Sequence, residues 1–383
     1  MFSIVITAYN RANALGNLLK TLSRIKVPQG ENIPLTISID NNGTPEVVDI
    51  ANQFEWEFGE KTIIIHKEKL GLVKHFIWAG DNTYKYENVL FLEDDLLVSP
   101  NIIYFTNQFI DTFKEDPRVV AASLYNPILN EATGTKFYQI EDGKDCYFLQ
   151  HPYWGNIWLG TKWNLFKEYL QNYEPKPELL PRHIAKWTAS FKKIYIQFLI
   201  ERNFTVLTPR ISLVTNGGSA GLHSNEGLSM YQVPLQLAKD TFEFPSFNSS
   251  LSKYDAFEEI YPDVIKRLNP DLTNFDFTVD LNGTKSNSQI KTDYILTSKS
   301  SLNSVFTFTS LMKPTEQGVI MNIEGDKRIV LCKTDSLIET RKFYKNRKYQ
   351  DIIKNYSITP SLNFLRITLS MFFNYCVSKL RKK

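Results

Sequence analysis

Short apolar runs alternate with amphipathic stretches over the first 125 residues, and no other feature constrains the fold as strongly. Apolar runs of strand length lie at residues 2–8, 33–40, 62–66, 88–92 and 119–123. The stretches between them carry apolar residues at helical spacing, such as Leu15, Leu18 and Leu22 on one face. Chains that alternate strands and helices form layered domains with a mostly parallel sheet. The sequence therefore predicts an α/β domain whose sheet is flanked by helices.

Size, charge and cysteine usage narrow the class of protein. The 383 residues are enough for one large domain and an extension, and a formal net charge of +3 is too small to favour nucleic acid as the main partner. Cys146, Cys332 and Cys376 are far apart and include no Cys-x-x-Cys pair, so neither a zinc site nor a disulfide framework is indicated. This usage is typical of a reducing compartment. The apolar run at residues 2–7 lacks the basic residues and the length of a signal peptide, and we expect a cytoplasmic protein.

The pattern changes after about residue 135. Loops rich in aromatic residues precede a helical stretch at residues 184–202, and a glycine-rich turn follows at residues 216–221. Residues 318–323 and 328–332 are predicted to form a pair of strands. We expect a main domain at residues 1–240, divided into halves at 1–125 and 126–240. Residues 241–383 are expected to form a C-terminal extension.

The tail from Ser361 carries an apolar stripe at helical spacing and ends in a cluster of cations. The stripe is interrupted by Arg366 and Asn374, so it is too short for the roughly 20 apolar residues that a membrane span needs. A basic amphipathic helix of this kind is typical of peripheral contact with an anionic membrane surface, here the inner face. The alternative is a helix that docks on the core of the protein itself, and the sequence leaves both open.

Three consecutive carboxylates, Glu93, Asp94 and Asp95, follow the apolar run at residues 88–92. Adjacent anions repel one another, so an uncompensated cluster is costly. Mg²⁺ or Mn²⁺ offsets this repulsion, and such ions usually take one or two protein carboxylates and complete their shell with phosphates and water. Ligands of open α/β sheets bind beyond the carboxyl ends of the strands. The motif therefore predicts a divalent metal site, with a solvated acidic turn as the alternative.

Several segments resemble, in order, those of GT-A glycosyltransferases. They are residues 3–11, 38–43, 69–72 and 91–96, the last followed by Ser99-Pro100. The last segment is similar to the N-acetylglucosaminyltransferase I-like branch, and bacterial relatives related to glycosyltransferase family 2 look most similar. The resemblance covers roughly residues 2–225. It implies the GT-A fold, a Rossmann-like nucleotide-diphospho-sugar transferase fold with a mixed, mostly parallel sheet, here with a C-terminal extension. It also implies that residues 1–125 are the nucleotide-binding half of the main domain and residues 126–240 the acceptor half.

The resemblance also implies roles for individual residues around the nucleotide and the metal. Asp95 matches the direct metal ligand and is the residue expected to carry catalysis. Glu93 and Asp94 match residues that orient the sugar and the ribose. The remaining matches are Thr7, Tyr9 and Arg11 in the loop that cradles the nucleotide, Asp40 at the base or ribose, and Lys74 near the nucleotide.

Two further segments complete the expected site. Trp154, Gly155 and Trp158 resemble the loop that packs on the donor sugar and the acceptor, although some of these tryptophans are equally expected in the core. His223 follows the glycine-rich turn in a pattern, residues 216–224, that resembles a motif of the bacterial relatives. The match implies that His223 ligates the metal or contacts the diphosphate, whereas a structural histidine is the alternative.

The implied reaction is transfer of a sugar from a nucleotide sugar to a hydroxyl of a glycan or a lipid-linked saccharide, dependent on Mn²⁺ or Mg²⁺. UDP is the commonest donor nucleotide in the resembling branch, and the family implies inversion and a role in bacterial surface polysaccharide synthesis. Relatives take their base from a Trp-Asp pair before the long helix, but residues 186–193 contain no acid here. The missing base favours one alternative, a catalytically silent domain that binds a sugar or a partner. A nucleotidyltransferase is disfavoured, because no glycine-rich basic loop follows the first strand.

Overall fold

A computed structural model describes residues 1–218, 231–325 and 328–338. Within these residues the chain forms fifteen strands. They are β1 (Phe2–Ala8), β2 (Leu35–Ile39), β3 (Lys61–Ile65), β4 (Asn88–Glu93), β5 (Leu96–Val98), β6 (Val119–Ser123), β7 (Cys146–Leu149), β8 (Asn156–Leu159), β9 (Thr205–Pro209), β10 (Val214–Asn216), β11 (Lys253–Tyr254), β12 (Phe277–Asp280), β13 (Tyr294–Thr297), β14 (Phe306–Phe308) and β15 (Ile329–Lys333).

The described residues also form ten α-helices. They are α1 (Ala12–Leu22), α2 (Pro45–Gln53), α3 (Gly71–Asp81), α4 (Thr83–Tyr86), α5 (Ile102–Phe113), α6 (Gly160–Gln171), α7 (Arg182–Ala185), α8 (Phe191–Arg202), α9 (Pro262–Leu268) and α10 (Glu316–Ile320). The first 125 residues therefore alternate between strands and helices as their apolar pattern predicts.

A nine-stranded mixed sheet organises the molecule. Its strand order is β11-β7-β9-β6-β8-β4-β1-β2-β3, and the strands β4, β1, β2 and β3 are parallel to one another. The pairs β4–β8, β6–β8 and β7–β9 are antiparallel, whereas β6–β9 and β7–β11 are parallel. The parallel block brings the carboxyl ends of β1, β2 and β4 to one edge of the sheet.

Apolar side chains of the central strands alternate between two packed faces. On β4, Leu90 and Leu92 lie in the cluster that includes Leu15, Val47 and Phe105 from helices α1, α2 and α5. The alternate residues Val89 and Phe91 lie in the other cluster, which includes Trp163 of α6 and Phe198 of α8. Side chains on a strand point alternately to opposite faces, so a strand that is buried on both faces reads as a continuous apolar run.

The predicted helix at residues 184–202 is two helices, α7 and α8, separated by residues 186–190. Ala189 has a positive φ of 47°, which no helix residue adopts. Ser190 is the N-cap of α8, and its hydroxyl accepts a hydrogen bond from the backbone N–H of Lys193 at 3.3 Å. The cap starts a new helix here instead of continuing the earlier one.

A four-stranded sheet in the order β12-β13-β15-β14 forms the later part of the described chain. The strand predicted at residues 328–332 corresponds to β15, but the strand predicted at residues 318–323 is wrong, because residues 316–320 form helix α10. A short apolar run does not by itself separate a strand from a helix, and here Val319 is fully buried as part of the helix.

The expected division at residue 240 stays a prediction. Strand β11, at residues 253–254, pairs with β7 and so extends the nine-stranded sheet beyond that position. Across the described residues, no helix combines the length and apolar character that crossing a bilayer requires. The basic tail at residues 361–383 lies outside the described residues.

Candidate functional site

The carboxylates of Asp94 and Asp95 share one cation at the end of β4. Arg11, which follows β1, donates from Nη1 to Asp95 Oδ2 at 2.7 Å and from Nη2 to Asp94 Oδ1. The backbone pairs Thr7 with Glu93, and the N–H of Asp94 donates to the carbonyl of Thr7 at 3.1 Å. The parallel pairing of β1 and β4 therefore brings together two segments that are about 85 residues apart in the chain.

Burial shifts the ionisation of this motif. It raises the pKa of Glu93 to about 8, with a further contribution from the nearby Asp95. Burial also raises the pKa of Asp94 to about 6, although Arg11 opposes the shift. Burial alone would lower the pKa of Arg11, but the two aspartates outweigh it and raise that pKa. The motif therefore requires positive charge nearby, and Arg11 supplies one unit of it.

Asp95 is held by the strand that precedes the glycine-rich turn. Asn216 Nδ2 donates to Asp95 Oδ2 at 3.3 Å, and the N–H of Gly217 donates to the Asp95 carbonyl at 2.6 Å. A Cβ on Gly217 would lie 3.0 Å from that carbonyl oxygen, so a larger residue fits poorly. The second oxygen, Asp95 Oδ1, is buried and has no hydrogen-bond partner among the described residues.

An unpartnered buried carboxylate oxygen fits a divalent metal that takes one protein carboxylate. Among the described residues, no group of three or more His, Cys, Asp and Glu side chains is arranged to hold a metal ion. Any metal at Asp95 would therefore take most of its ligands from the substrate and from water. His223, the second expected ligand, lies outside the described residues.

Asp40, at the end of β2, is buried and orders the start of α3. Its carboxylate accepts backbone N–H groups from Asn41 at 2.8 Å, Leu70 at 2.7 Å and Gly71 at 2.9 Å. Burial works to raise the pKa of Asp40, but these donors outweigh it and lower the pKa. The structure thus gives Asp40 a local structural role, and its contact with a base or ribose stays a prediction.

The other residues expected around the nucleotide lie near the same edge. Thr7 is buried at the end of β1, and the ring of Tyr9 lies beneath the Lys69 ammonium at 5.2 Å. Lys74 is exposed on α3. The structure brings Thr7, Tyr9, Arg11 and the carboxylate motif into one region at the carboxyl edge of the parallel strands.

The aromatic loop before β8 has two different roles. Trp154 is partly exposed and its ring packs against Tyr125 and Tyr231, with centroids 4.8 Å and 5.2 Å away. Gly155 has a φ of 64°, and a Cβ there would lie 2.9 Å from the Val214 side chain, so glycine is required.

Trp158 is a correction to the expected donor contact. The Trp158 side chain is 1% exposed. Its ring stacks on Phe91 with 4.7 Å between the ring centroids, and the centroid of the Trp163 ring also lies 4.7 Å away. A side chain that is enclosed by core rings has no free face for a sugar. The structure therefore gives Trp158 a packing role, as part of the aromatic core between β4, β8 and α6.

A partly buried charge cluster, which no pattern in the sequence indicates, lies next to the carboxylate motif. It consists of Glu131, His151, His183, Lys192 and Glu258. Glu131 lies 3.8 Å from Lys192 Nζ and 3.7 Å from His183 Nε2. Lys192, at the start of α8, also acts electrostatically on Glu93. The cluster therefore lies beside the motif, and its Lys192 belongs to the stretch of residues 186–193 that contains no acid.

The two carboxyl groups of the charge cluster differ in ionisation. Burial works against ionisation of Glu131, but Lys192 and the two histidines outweigh it and hold its pKa far below the usual range. Burial raises the pKa of Glu258 to about 8, and the Tyr153 hydroxyl donates to Glu258 Oε1 at 2.7 Å. At neutral pH, Glu131 is therefore ionised and Glu258 mostly protonated.

A cleft of about 900 Å³ borders this cluster, and His183 and Glu258 are part of its lining. We call it the lateral cleft. Most of the residues that line it come from four parts of the chain. They are residues between 130 and 138, α7 with Lys186, Glu258 with Glu259, and residues between 281 and 316. Glu93, Asp94 and Asp95 are not part of its lining. The lining of the lateral cleft therefore includes members of the charge cluster but not the carboxylate motif.

The carboxylate motif lies in a part of the chain that matches a known protein family. Residues 3–173 match the family model described as glycosyl transferase family 2. Residues 3–173 therefore resemble a glycosyl transferase family 2 domain. The expected resemblance to GT-A glycosyltransferases related to family 2 is therefore confirmed, and so is the expected fold class, a mixed α/β sheet flanked by helices. The match includes β1, β2, β4 and the Glu93–Asp95 motif.

The domain is also similar to individual proteins. One is the alpha-1,3-mannosyl-glycoprotein 2-beta-N-acetylglucosaminyltransferase of Arabidopsis thaliana, 19% identical over 289 residues, which are 70% of this chain and 58% of the relative. The chain thus spans under two thirds of that relative's length.

Solved structures with similarity to the chain include S. aureus TarS 1-349 in complex with UDP-GlcNAc, at a TM-score of 0.40 and 13% identity over 58% of this chain and 60% of that one. The mannosyltransferase PcManGT from Pyrobaculum calidifontis, in complex with GDP-Man and Mn²⁺, matches at a TM-score of 0.30 and 13% identity over 44% of this chain and 46% of that one.

Proposed function

We propose that the protein transfers a sugar from a nucleotide sugar, with UDP as the expected nucleotide, to a hydroxyl of a saccharide acceptor in a reaction that depends on Mn²⁺ or Mg²⁺. One observation carries the proposal: the family 2 domain ends β4 in Glu93-Asp94-Asp95 and leaves Asp95 Oδ1 buried without a partner. A catalytically silent domain is the second candidate, because the stretch at residues 186–193 contains no acid.

The metal would be held by Asp95 and, if the expectation for the later turn holds, by His223. When bound, it would stabilise the charge that develops on the leaving diphosphate. The Asp95 carboxylate is held in place by one hydrogen bond from Arg11 and another from Asn216. These contacts fix the carboxylate before any ligand arrives, which lowers the cost of ordering it on binding.

Positive charge from Arg11 and Lys192 supports an anionic donor at the motif. Arg11 forms ion pairs with Asp94 and Asp95, and Lys192 of α8 interacts electrostatically with Glu93. Glu93 and Asp94 would orient the sugar and the ribose through hydrogen bonds. Trp154, which is partly exposed, would contact the donor sugar or the acceptor, and Thr7, Tyr9, Asp40 and Lys74 would line the nucleotide.

We propose Glu131 as the base that accepts the proton of the acceptor hydroxyl. The hydroxyl oxygen forms its bond to the anomeric carbon, the bond from that carbon to the diphosphate oxygen breaks, and the proton passes to the Glu131 carboxylate. Glu131 is ionised at neutral pH and none of its cationic neighbours is closer than 3.7 Å, so its oxygens keep free lone pairs. Attack on the face of the anomeric carbon opposite the leaving diphosphate would give inversion.

The setting of the reaction is the remaining part of the proposal. Acceptors on a growing bacterial surface polysaccharide, free or lipid-linked, are the expected class. A protein that works in the cytoplasm at the inner membrane face would meet them there, if the basic tail at residues 361–383 binds an anionic surface. The tail lies outside the described residues, so this part rests on the sequence alone.

Calorimetric titration of UDP-, GDP-, CMP- and dTDP-sugars, each with and without Mn²⁺, tests the proposed donor. We expect one nucleotide class to bind and to bind more tightly with the metal. Release of the nucleotide during incubation with saccharides then separates the enzyme from the silent domain. Absence of binding by every donor sugar would contradict the proposed function.

A further inference from the structure

The lateral cleft has walls that suit a saccharide. Tyr138 is 42% exposed there and offers an aromatic surface. Hydroxyl and amide side chains surround it, including Asn130, Thr133, Asn282 and Ser298. Sugars present alternating apolar faces and hydroxyl groups, so an aromatic ring beside many small polar groups matches them. A volume of about 900 Å³ is that of a site for an extended small molecule.

The positive charge of the lateral cleft faces the solvent. Lys136, Arg182 and Lys186 line it and are all exposed. Within the described part of the chain, none of these three forms an ion pair with a carboxylate. Their charge is therefore available to a ligand. Lys299, a fourth cation of the lining, instead pairs with Asp280 at 2.7 Å.

The negative charge of the lateral cleft is turned inward. Its carboxyl groups belong to Glu258, Glu259 and Glu316, which are only 5%, 2% and 9% exposed. Glu259 accepts the backbone N–H groups of Leu281 at 3.0 Å and Asn282 at 2.7 Å. Burial raises the pKa of Glu258 to about 8 and that of Glu316 to about 7, so both lose charge near neutral pH. The solvent-facing field is therefore positive.

The lateral cleft also reaches the proposed base. Asn130 and Ala132, the two neighbours of Glu131 in the chain, line it. Glu258 lines it as well, and its Oε2 is buried with no hydrogen-bond partner among the described residues. A ligand in the cleft can therefore reach a carboxyl group, that of Glu258, which has an oxygen without a hydrogen-bond partner among the described residues. Glu258 is itself a member of the charge cluster.

We propose that the lateral cleft binds the acceptor as a negatively charged saccharide, whose phosphate or carboxylate groups contact Lys136, Arg182 and Lys186. This inference rests on the proposed function, because it takes the cleft as the acceptor side of the same transferase. Cations paired with phosphate or carboxylate form charge-assisted hydrogen bonds, which are about twice as strong as neutral ones. The acceptor hydroxyl would then point past Glu258 towards Glu131.

The test uses two pairs of probes on the full-length protein, without nucleotide or metal. Tetragalacturonate is compared with its methyl ester, and maltotetraose carrying a terminal phosphate with maltotetraose itself. We expect each charged probe to bind at least about tenfold more tightly than its neutral partner and to weaken as salt is added. The relative affinity of the carboxylate and phosphate probes tells which group the cleft prefers.

The triple variant Lys136→Gln, Arg182→Gln, Lys186→Gln should lose at least about tenfold in affinity for the charged probe. The matched control is Lys20→Gln, Arg24→Gln, Lys114→Gln, which removes the same charge from exposed residues outside the cleft. Equal affinity for charged and neutral probes, or equal loss in both variants, would overturn the proposal. Donor titration is a separate experiment, so failure of the proposed transferase and failure of the cleft are distinguished.

Discussion

Arg11 and Asp95 form one of the two ion pairs between Arg11 and the carboxylate motif, with Nη1 of Arg11 2.7 Å from Oδ2 of Asp95. The same carboxylate keeps its other oxygen buried and unpartnered among the described residues. The pair is mostly shielded from water, because the Arg11 side chain is 26% exposed and that of Asp95 is 10% exposed. Arg11 therefore stabilises the fold of the motif and leaves one oxygen of Asp95 for a ligand.

Arg11→Met should destabilise the protein by about 2–4 kcal/mol, because it leaves Asp94 and Asp95 buried without their cation. The free energy of unfolding from urea titration measures the change. Arg24→Met removes an exposed arginine just after the end of α1 and should change the free energy by less than about 0.5 kcal/mol. Similar losses in both variants would show that the ion pair contributes nothing specific.

Asp40→Asn should cost roughly 2 kcal/mol at pH 7, because an amide accepts the N–H groups of Asn41, Leu70 and Gly71 less well than a carboxylate. The pKa of Asp40 is lowered by folding from its ordinary value of 3.8. Its stabilising contribution is therefore present above pH 3.8 and is lost as the pH falls through the folded-state pKa.

Urea unfolding of wild type and Asp40→Asn at several pH values from 7 down to about 2, well below the ordinary pKa of 3.8, follows this difference. The two free energies should converge as the solution becomes more acidic. The control is Asp49→Asn, which changes an exposed aspartate on the neighbouring helix α2. A gap between wild type and Asp40→Asn that stays constant with pH would contradict the ionised, hydrogen-bonded carboxylate.

Glu131→Gln should reduce the rate of transfer by about 10²–10⁴-fold, since the variant cannot accept a proton. Donor affinity should stay within about twofold, because Glu131 lies across Lys192 from the carboxylate motif. The rate is followed as nucleotide release with the donor that binds and a saturating acceptor saccharide. Glu141→Gln, which alters an exposed glutamate of the same loop region, should leave the rate unchanged.

The alternative base in the charge cluster is Glu258. If Glu258→Gln abolished transfer while Glu131→Gln retained it, the assignment of the base to Glu131 would be wrong. If both variants kept full activity, neither carboxylate of the cluster would take the proton. A loss of donor binding in Glu131→Gln would instead indicate a structural role through Lys192.

The strand and helix pattern of residues 2–125 was predictable, because continuous apolar runs and helical spacing act locally. The end of β4 in three carboxylates was also readable, since Glu93, Asp94 and Asp95 are adjacent in the chain. Arg11 was named from its loop, but its bidentate contact depends on the pairing of β1 with β4. Trp158 was assigned to the donor because an aromatic residue in a loop and one in a core look alike in sequence.

The charge cluster could not be read from the sequence. Glu131 and Glu258 are separated by 127 positions, and His151, His183 and Lys192 lie between them on different elements. No spacing rule connects such residues, because only the sheet order brings β6, β7 and α8 together. The sequence showed that residues 186–193 lack an acid, and the structure brings one to Lys192 from the loop after β6.

The most direct test of metal-dependent donor binding is titration of UDP-GlcNAc into wild type and Asp95→Asn, each with and without Mn²⁺. Asp111→Asn, an exposed aspartate on α5, serves as the control, and thermal melting confirms that each variant folds. We predict that Mn²⁺ strengthens binding to wild type and to the control by at least about tenfold and has no effect on Asp95→Asn. Binding to Asp95→Asn that responds to Mn²⁺ as wild type does would contradict the account.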